Sequence, residues 1–532
     1  MKLNSIAVIG GGPGGLYTAR LLKLDNPGAT VIVHEQSVPE TTFGFGVALA
    51  ARTQRNLESA DADTLRDIIH AGRPHDTTMH VGGRRATVRN GAVIGIARTE
   101  LLAILARHAA EAGVELRFGS RVALDEVDAD LVVVADGVSS DTREKLAAEL
   151  EVEVGIGEGL YLWAGADVAL DDAVFAPATT ADGTFVAHAY PYAPDRTTFL
   201  IETDARTWHA AGFDATTARL APDASDAVSL AYLERAFADH LQGGRLMGNR
   251  TRWLRFRTVR CARWSHGNVV LLGDAAHTAH YSIGSGTKLA MEDGIALRQA
   301  IAAAPDVPTA LAQYELSRRP EVERLQGLAR RSHLWWDSFP RRTGMDVDQL
   351  TVAYMTRAGN VSLDRFAATN PDILRRALAT YAGCAPAQVP VHGVTEWVCA
   401  QPLDKAGRSW TGRVVDLQGF DVPHAAAPRT ARANAQRLVR TSVALDNPWT
   451  DEGDALVRHL TAAARNGSPG VWLTGPHTRA DLLNRLAFAE RMRRESDAVI
   501  VVDGPAECLP DLAAGLASGR TDLICPLQTH SK

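Results

Sequence analysis

Cysteine is scarce in this chain: five residues of 532, Cys261, Cys384, Cys399, Cys508 and Cys525, widely spaced and in no CxxC pair. That spacing excludes a disulfide framework and a cysteine-built metal centre, and it fits a reducing cytoplasm, where we expect the protein. Metal ligation is not suggested elsewhere either, because no HxH or HExxH spacing occurs. No apolar run approaches the ~20 residues of a membrane-spanning helix. The apolar segment 6–16 is glycine-rich, has one preceding lysine and lacks a cleavage site, so it reads as a strand and turn and not as a signal peptide. Charge of one sign is lacking too. The 56 basic and 62 acidic residues leave a net charge of −6, which gives no general attraction to nucleic acid or membrane surfaces. Short repeats and low-complexity tracts are absent. What remains is ample apolar material, 46% of residues, in a length that suits two to four domains at roughly 150 residues each. A multidomain enzyme fits these bounds best.

The first 35 residues narrow the choice. Ser5–Ile9 (SIAVI) is a short β-branched run, followed at once by Gly10-Gly11-Gly12-Pro13-Gly14-Gly15. Helical spacing over 16–24 and a second strand at 30–33 complete a βαβ unit with GxGxxG in its first turn. Such a turn holds a dinucleotide pyrophosphate. Gly10 permits the tight bend, Gly12 lets backbone approach the phosphates, Gly15 lets helix and strand pack closely, and Pro13 starts the helix whose amides face the anion. Glu35, 20 residues after Gly15, stands where a carboxylate accepts from ribose hydroxyls and repels a 2′-phosphate. The motif alone leaves NAD and FAD both open.

Two later motifs also end buried strands. LVVVA at 131–135 leads into Asp136-Gly137, and the segment 135–143 reads ADGVSSDTR; NVVLL at 268–272 leads into GDAAHTAHYSIGSGTK at 273–288. In this order they match the DG-x-x-S-x-x-R and GD patterns of the class A flavoprotein aromatic hydroxylases, and the chain resembles that family over about residues 4–345. The resemblance implies FAD as cofactor, NADH or NADPH as transient reductant and molecular oxygen as co-substrate. It places Asp274 on the ribityl chain, Gly273, Gly284 and Gly286 close to the cofactor, and Arg98 at an FAD contact. It gives Asp136 to FAD or the nicotinamide cofactor, with a capping role as the alternative. The helix from about Thr287 would then aim its positive end at the flavin N1–C2=O edge, favouring the anionic reduced flavin and the C4a-hydroperoxide that follows. No second GxGxxG has a preceding strand and a following acid, so a separate nicotinamide domain is not expected. A WxWxIP halogenase stretch is absent, and Trp335-Trp336 does not match it.

Within that family the version HTAHYSIGSGTKLAMED is similar to the salicylyl-CoA 5-hydroxylase and anthraniloyl-CoA monooxygenase group; His280-Tyr281 stand where prolines are usual, and Lys288 where asparagine is. The implied substrate is an aromatic ring carried as a CoA thioester, hydroxylated para to its activating group. A free or otherwise carrier-bound aromatic compound is the alternative, and a flavin-bound sensor or scaffold the non-enzymatic one. His280 and Tyr281, beside the expected flavin, are the candidates for a direct catalytic role. His277 shares their loop. His188 and Tyr190 lie on the expected sheet over the substrate. The arginines 250, 252, 255, 257, 260 and 263 cluster upstream of the GD strand, and Arg252 and Arg255 are the candidates for the CoA phosphates.

The expected layout is α/β. A Rossmann-like FAD-binding frame of the para-hydroxybenzoate-hydroxylase type takes 1–160 and 255–345, with an antiparallel β-sheet substrate region, 161–254, inserted into it. A helical pattern over 311–337 is interrupted at Pro320. Residues 346–400 form a helical connection, the text is irregular to about 432, and 401–532 form an α/β lobe with strands at 471–474, 499–503 and 522–525. That lobe is too short for a complete (β/α)₈ barrel, so it is expected as a barrel remnant or small α/β unit that packs on the hydroxylase or makes a homodimer interface.

Overall fold

The structure, a computed structural model, describes residues 1, 3–38, 44–91, 93–221, 223–284, 286–416, 438–465 and 470–528. Part of the irregular stretch expected up to residue 432 lies outside these. The chain divides into two units, one of residues 1–81 and 90–340, the other of 82–89 and 341–532.

The first unit is built on a parallel sheet in the spatial order Val269–Leu271, Leu131–Val134, Ser5–Ile9, Thr30–Glu35 and Glu115–Phe118, with the short antiparallel Ser265–His266 at one edge. Leu131–Val134 and Val269–Leu271 are buried throughout, as unbroken apolar runs in a sheet covered on both faces should be. The order reverses at Ser5–Ile9, and ligands of such sheets bind outside the strand C-termini at that switch point. All three sequence motifs sit there, each following one of three adjacent strands.

A second, largely antiparallel sheet runs Leu246–Met247, Val152–Ala166, Arg196–Thr203, Thr184–Ala193, Ala173–Thr179 and Thr77–Val81, and Trp253–Cys261 also pairs with Val152–Ala166. It reaches beyond the expected 161–254 at both ends. The extra length of Val152–Ala166 carries Val154 and Ile156 exposed, so its alternation reports no buried face. Aspartate side chains cap the helices around this frame at Asp61, Asp204, Asp226 and Asp306, each accepting a backbone amide of the first turn.

The helix Val307–Asp337 corrects the expected break, running unbroken through Pro320. Proline has no amide for the carbonyl of Leu316 four residues back. Leu316 lies on the solvent side, 77% exposed, where water can take that carbonyl.

In the second unit, four helices within 346–400 and the parallel strands Val439–Ser442, Gly470–Thr474, Val499–Pro505 and Leu523–Leu527 bury one core. Leu363, Phe366, Leu374 and Leu378 from the helices join Leu460, Leu482, Leu486 and Leu512 from the lobe, together with Val88. The expected separation of a connection from a lobe is therefore not seen, because the helices bury their apolar face in the same core as the lobe. The strands lie side by side in chain order, the winding of successive barrel strands. The first of them, at 439–442, was not expected from the sequence.

Candidate active site

The glycine turn has little room on its protein side. Gly10 has φ +106°, and a Cβ there would stand 2.4 Å from the Ala135 carbonyl oxygen; at Gly15 it would stand 2.0 Å from the Gly10 carbonyl oxygen. Gly12 differs: among the described residues, no atom beyond its chain neighbours lies within 4 Å of a Cβ placed there. The turn is closed towards the sheet and open at the N-terminus of the helix Pro13–Asp25, which has Gly12 as its cap, Pro13 in its first turn and no acidic first-turn residue to compete for an anion. Glu35 is held at this turn. Its Oε2 accepts from the Gly11 amide at 2.7 Å and its Oε1 from the Ser37 amide at 2.7 Å, leaving a second lone pair on each oxygen.

The Asp136-Gly137 turn lies against Gly10, since a Cβ there would also approach the Asp136 amide nitrogen at 2.8 Å. Arg143, buried, ties this turn to the GD loop, donating to the carbonyls of Val138 at 2.8 Å and Ala275 at 3.2 Å. Ser140 caps the short helix that carries Arg143, so the DG-x-x-S-x-x-R pattern is a clasp between two loops. The GD loop is pinned from behind. Asp293 accepts from the Gly273 amide at 2.8 Å, from Arg318 Nε at 2.7 Å and faces His277 Nε2 at 2.8 Å. His277 is thus an anchor of the loop through Nε2, while its buried Nδ1 has no hydrogen-bond partner among the described residues. Gly286 brings the start of the helix Gly286–Ala303 beside Asp274, within 3.9 Å of Oδ1 for a Cβ placed there.

Asp274 is ringed by protein, yet its carboxylate faces open space. Its pKa is raised by desolvation, opposed by the charges of His277 and Arg98. Burial lowers the pKa of Arg98 in turn. Arg98 Nε and Asp136 Oδ1 are buried without a hydrogen-bond partner among the described residues. An interior cation and carboxylate left unsatisfied beside an open helix N-terminus fit a large polar ligand. The glycine turn with Glu35 and Asp136 and the GD loop with Gly273, Asp274 and Gly286 are thus joined through Arg143, with the Arg98 charge acting on Asp274, and the donors and acceptors present fit FAD; Gly284 and Thr287 follow in the same loop and helix.

Next to Asp274 stands an aromatic wall. Register sets it: Tyr161 pairs with Glu202 and Trp163 with Leu200, while Leu200 pairs with His188, and His188 with Phe175. Side chains directly opposite share a face, so these residues line one side of the sheet. Tyr281 of the GD loop meets that face, with ring centroids 5.0 Å from Tyr161 and 6.1 Å from Trp163. Phe256 lies 5.9 Å from Tyr281, and Trp336 lies tilted against His188, 4.2 Å between ring centroids. Burial and the Glu202 charge hold the Tyr281 hydroxyl well above the usual tyrosine range, and Glu202 Oε2 lies 3.3 Å from His188 Nε2. His280 caps its own turn through Nδ1 and lies flat on His333, 3.9 Å apart.

The remaining candidates bond to main-chain carbonyls. Tyr190 donates its hydroxyl to the Gly46 carbonyl at 2.7 Å. Arg252 donates to the carbonyls of Leu220 and Ala221 at 3.2 and 2.9 Å, and Arg255 to the Glu158 carbonyl at 2.6 Å. The structure does not bring either arginine to the groups around Asp274. Glu202, His333, Trp336 and Asp337 belong to the wall and were not singled out from sequence. One signal was present: Gly157 and Gly159 in GIGEG, where a Cβ would stand 2.6 Å from His333 Cε1 and 2.3 Å from Asp337 Oδ1. Glycines alternating along a strand mark the close approach of another element.

Comparison with known proteins agrees with this geometry. The sequence model of the FAD binding domain matches residues 4–328. The chain belongs to this family. Among the FAD-binding relatives, a salicyloyl-CoA 5-hydroxylase of a Streptomyces species is 41% identical over 342 residues, 63% of this chain and 66% of that protein, so the chain spans just under two thirds of it. A 3-hydroxy-4-methyl-anthranilyl-[aryl-carrier protein] 5-monooxygenase of Streptosporangium sibiricum is 41% identical over 67% of this chain and 95% of the relative. The fold is shared with the tetrameric form of 2-methyl-3-hydroxypyridine-5-carboxylic acid oxygenase, at TM-score 0.53 and 20% identity, covering 67% of this chain and 96% of that one. The protein is a class A flavoprotein aromatic hydroxylase with FAD as its cofactor.

Proposed function

We propose that the protein hydroxylates an aromatic ring presented as a thioester, on CoA or on a carrier protein, with NAD(P)H and molecular oxygen as co-substrates. The observation that carries this reading is the wall of Tyr161, Trp163, Phe256 and Tyr281 beside Asp274, a surface suited to a flat ring next to the cofactor. Two relatives of 41% identity, named for aryl-CoA and aryl-carrier substrates, support the tethered form.

Bound FAD supplies electron transfer from the nicotinamide and the activation of oxygen. The chain supplies the rest. The open helix terminus at Gly12 and the Arg98 cation take the negative charge of the cofactor, Glu35 takes a ribose, and Asp274 takes hydroxyls of the ribityl chain. The aromatic wall excludes water and orients the ring. Arg252 and Arg255 already bond to carbonyls of their own chain, so the thioester reading does not rest on them.

The test is NAD(P)H oxidation by the yellow protein, with benzoyl-type thioesters bearing a ring hydroxyl or amino group alongside the free acids. Thioester-stimulated oxidation with a hydroxylated product is expected. Stimulation by the free acids alone removes the thioester, and no stimulation by any aromatic compound, the outcome for a sensor or scaffold, overturns the reading.

A further inference from the structure

The half-buried Lys288, in the first turn of the helix Gly286–Ala303, stands where asparagine is usual. Two residues on, Ala290 turns towards the glycine-turn helix, since a Cβ at Gly14 would stand 2.9 Å from its own. Two residues are about 200° round a helix, so Lys288 lies on nearly the opposite face, away from the space at Gly12. Glu292, four residues after Lys288, shares that face. Both of its carboxylate oxygens are engaged, Oε1 accepting from Asn56 Nδ2 at 2.7 Å and Oε2 from Arg318 at 3.2 Å. Asn56 belongs to the helix Ala51–Ala60, and one turn before it stands Arg52. The bond from Asn56 to Glu292 thus joins two helices near their starts, each with a cation and no acidic residue in its first turn.

Among the described residues, neither Lys288 nor Arg52 makes a side-chain hydrogen bond or an ion pair, and neither does Arg324, exposed on the helix Val307–Asp337. Burial lowers the pKa of Lys288, with the charges of Arg52, Arg318 and Arg324 adding and that of Glu292 opposing. A half-buried ammonium among guanidiniums, beside a carboxylate already bonded twice, destabilises the free protein, and a bound anion relieves it.

We propose that Lys288 and Arg52 hold the phosphates of an adenosine diphosphate group that enters with a reactant. The proposal rests on the hydroxylase reading above. Two reactants of that reading carry such a group, the nicotinamide dinucleotide and a CoA thioester. Its phosphate oxygens accept from the three ammonium donors of lysine and from the planar fork of arginine. The pyrophosphate of FAD itself is provided for at Gly12, across the helix from Lys288. Gly286, beside Asp274, is only two residues from Lys288, so a nucleotide held there is anchored within its own length of the ribityl site.

The experiment uses the full chain with FAD bound. Affinity for NADH and NADPH is read from the concentration dependence of anaerobic flavin reduction. Affinity for 2-hydroxybenzoyl-CoA is read from flavin absorbance, beside the phosphate-free N-acetylcysteamine thioester of the same acid. Lys288→Asn and Arg52→Ala should each weaken the ligand that uses the site about tenfold, the scale of one charge-assisted hydrogen bond. Added salt should weaken that ligand less in the variants than in wild type. A loss confined to the dinucleotides assigns the site to the reductant. A loss for the CoA ester with the phosphate-free ester unchanged assigns it to the substrate, and either result upholds the proposal. Unchanged affinity for every ligand in both variants overturns it. An equal loss for the phosphate-free ester marks a structural effect and overturns it as well, and so does loss of FAD on gel filtration, which gives the cations to the cofactor. A wild type reduced by NAD(P)H that binds neither ester ends the thioester reading, and the dinucleotide affinities then decide alone. A wild type that is not reduced and binds neither ester overturns the hydroxylase reading, and the site with it.

Discussion

At the scale of single residues, the glycine turn separates two roles that one motif joins. Gly15→Ala puts a methyl group 2.0 Å from a backbone oxygen, so it should cost about 1–3 kcal/mol and lower the thermal midpoint measurably. Gly12→Ala meets no atom of the described residues within 4 Å beyond its chain neighbours, so the midpoint of the FAD-free protein should hold. Its FAD affinity should still fall about tenfold or more, because the methyl group occupies the space left for phosphate. FAD retained through gel filtration, with melting of stripped protein, checks both. Two buried carboxyls should respond to pH with opposite sign. Asp337, pushed up to about 8, binds a proton in the folded state that the unfolded chain releases near 4. It therefore detracts from stability increasingly as pH rises from about 5 to 8. Asp337→Asn should gain on wild type over that window, by at most about 1.4 kcal/mol per pH unit, and level off above it. Asp293, lowered by His277 and Arg318 despite its burial, contributes stability above its unfolded pKa and loses it as pH falls through the folded one. Asp293→Asn should cost about 3 kcal/mol at pH 7, and the gap should close below about pH 4. Chemical denaturation at a series of pH values reads both slopes.

At the scale of elements, the site depends on how closely two helices approach. Gly294 of the helix Gly286–Ala303 lies against Thr18 of the glycine-turn helix, where a Cβ would stand 2.4 Å from Thr18 Oγ1. Gly294→Ala should push the helices apart, weaken FAD retention and destabilise by about 1–3 kcal/mol. Thr18→Ala removes the obstructing hydroxyl, which has no hydrogen-bond partner among the described residues, so the double variant should lose less than Gly294→Ala alone. Melting of the three variants measures that coupling. The same contrast explains what could be read from sequence. The three loops were legible because each is local: a buried strand, then a glycine or aspartate whose place follows from the next few residues. Their convergence follows from adjacent strands ending on the same side. Glu202, His333 and Asp337 were not legible, because a strand and a 31-residue helix meet only through the sheet register. No spacing within either segment encodes that meeting. The anchoring role of His277 was equally hidden, since its partner Asp293 lies 16 residues on, in the next helix.

At the scale of the whole molecule, the second unit behaves as one hydrophobic body. Ending the chain at residue 400 would keep Leu363, Phe366, Leu374 and Leu378 but remove Leu482, Leu486 and Leu512, with which they share a core. A 1–400 fragment should therefore aggregate or expose apolar surface, seen as low soluble yield and binding of a hydrophobic dye; a soluble fragment with no dye binding would show that these helices stand without the lobe. The segment 82–89 also belongs to this unit, and Val88 lies in its core. The remainder of that core begins at residue 341, about 250 residues later. At a synthesis rate of roughly 5–20 residues per second, Val88 leaves the ribosome some 10–50 seconds before the partners that will bury it. During translation the chain thus carries an early segment whose home has not yet been made, and burial of Val88 waits on residues 341 onward.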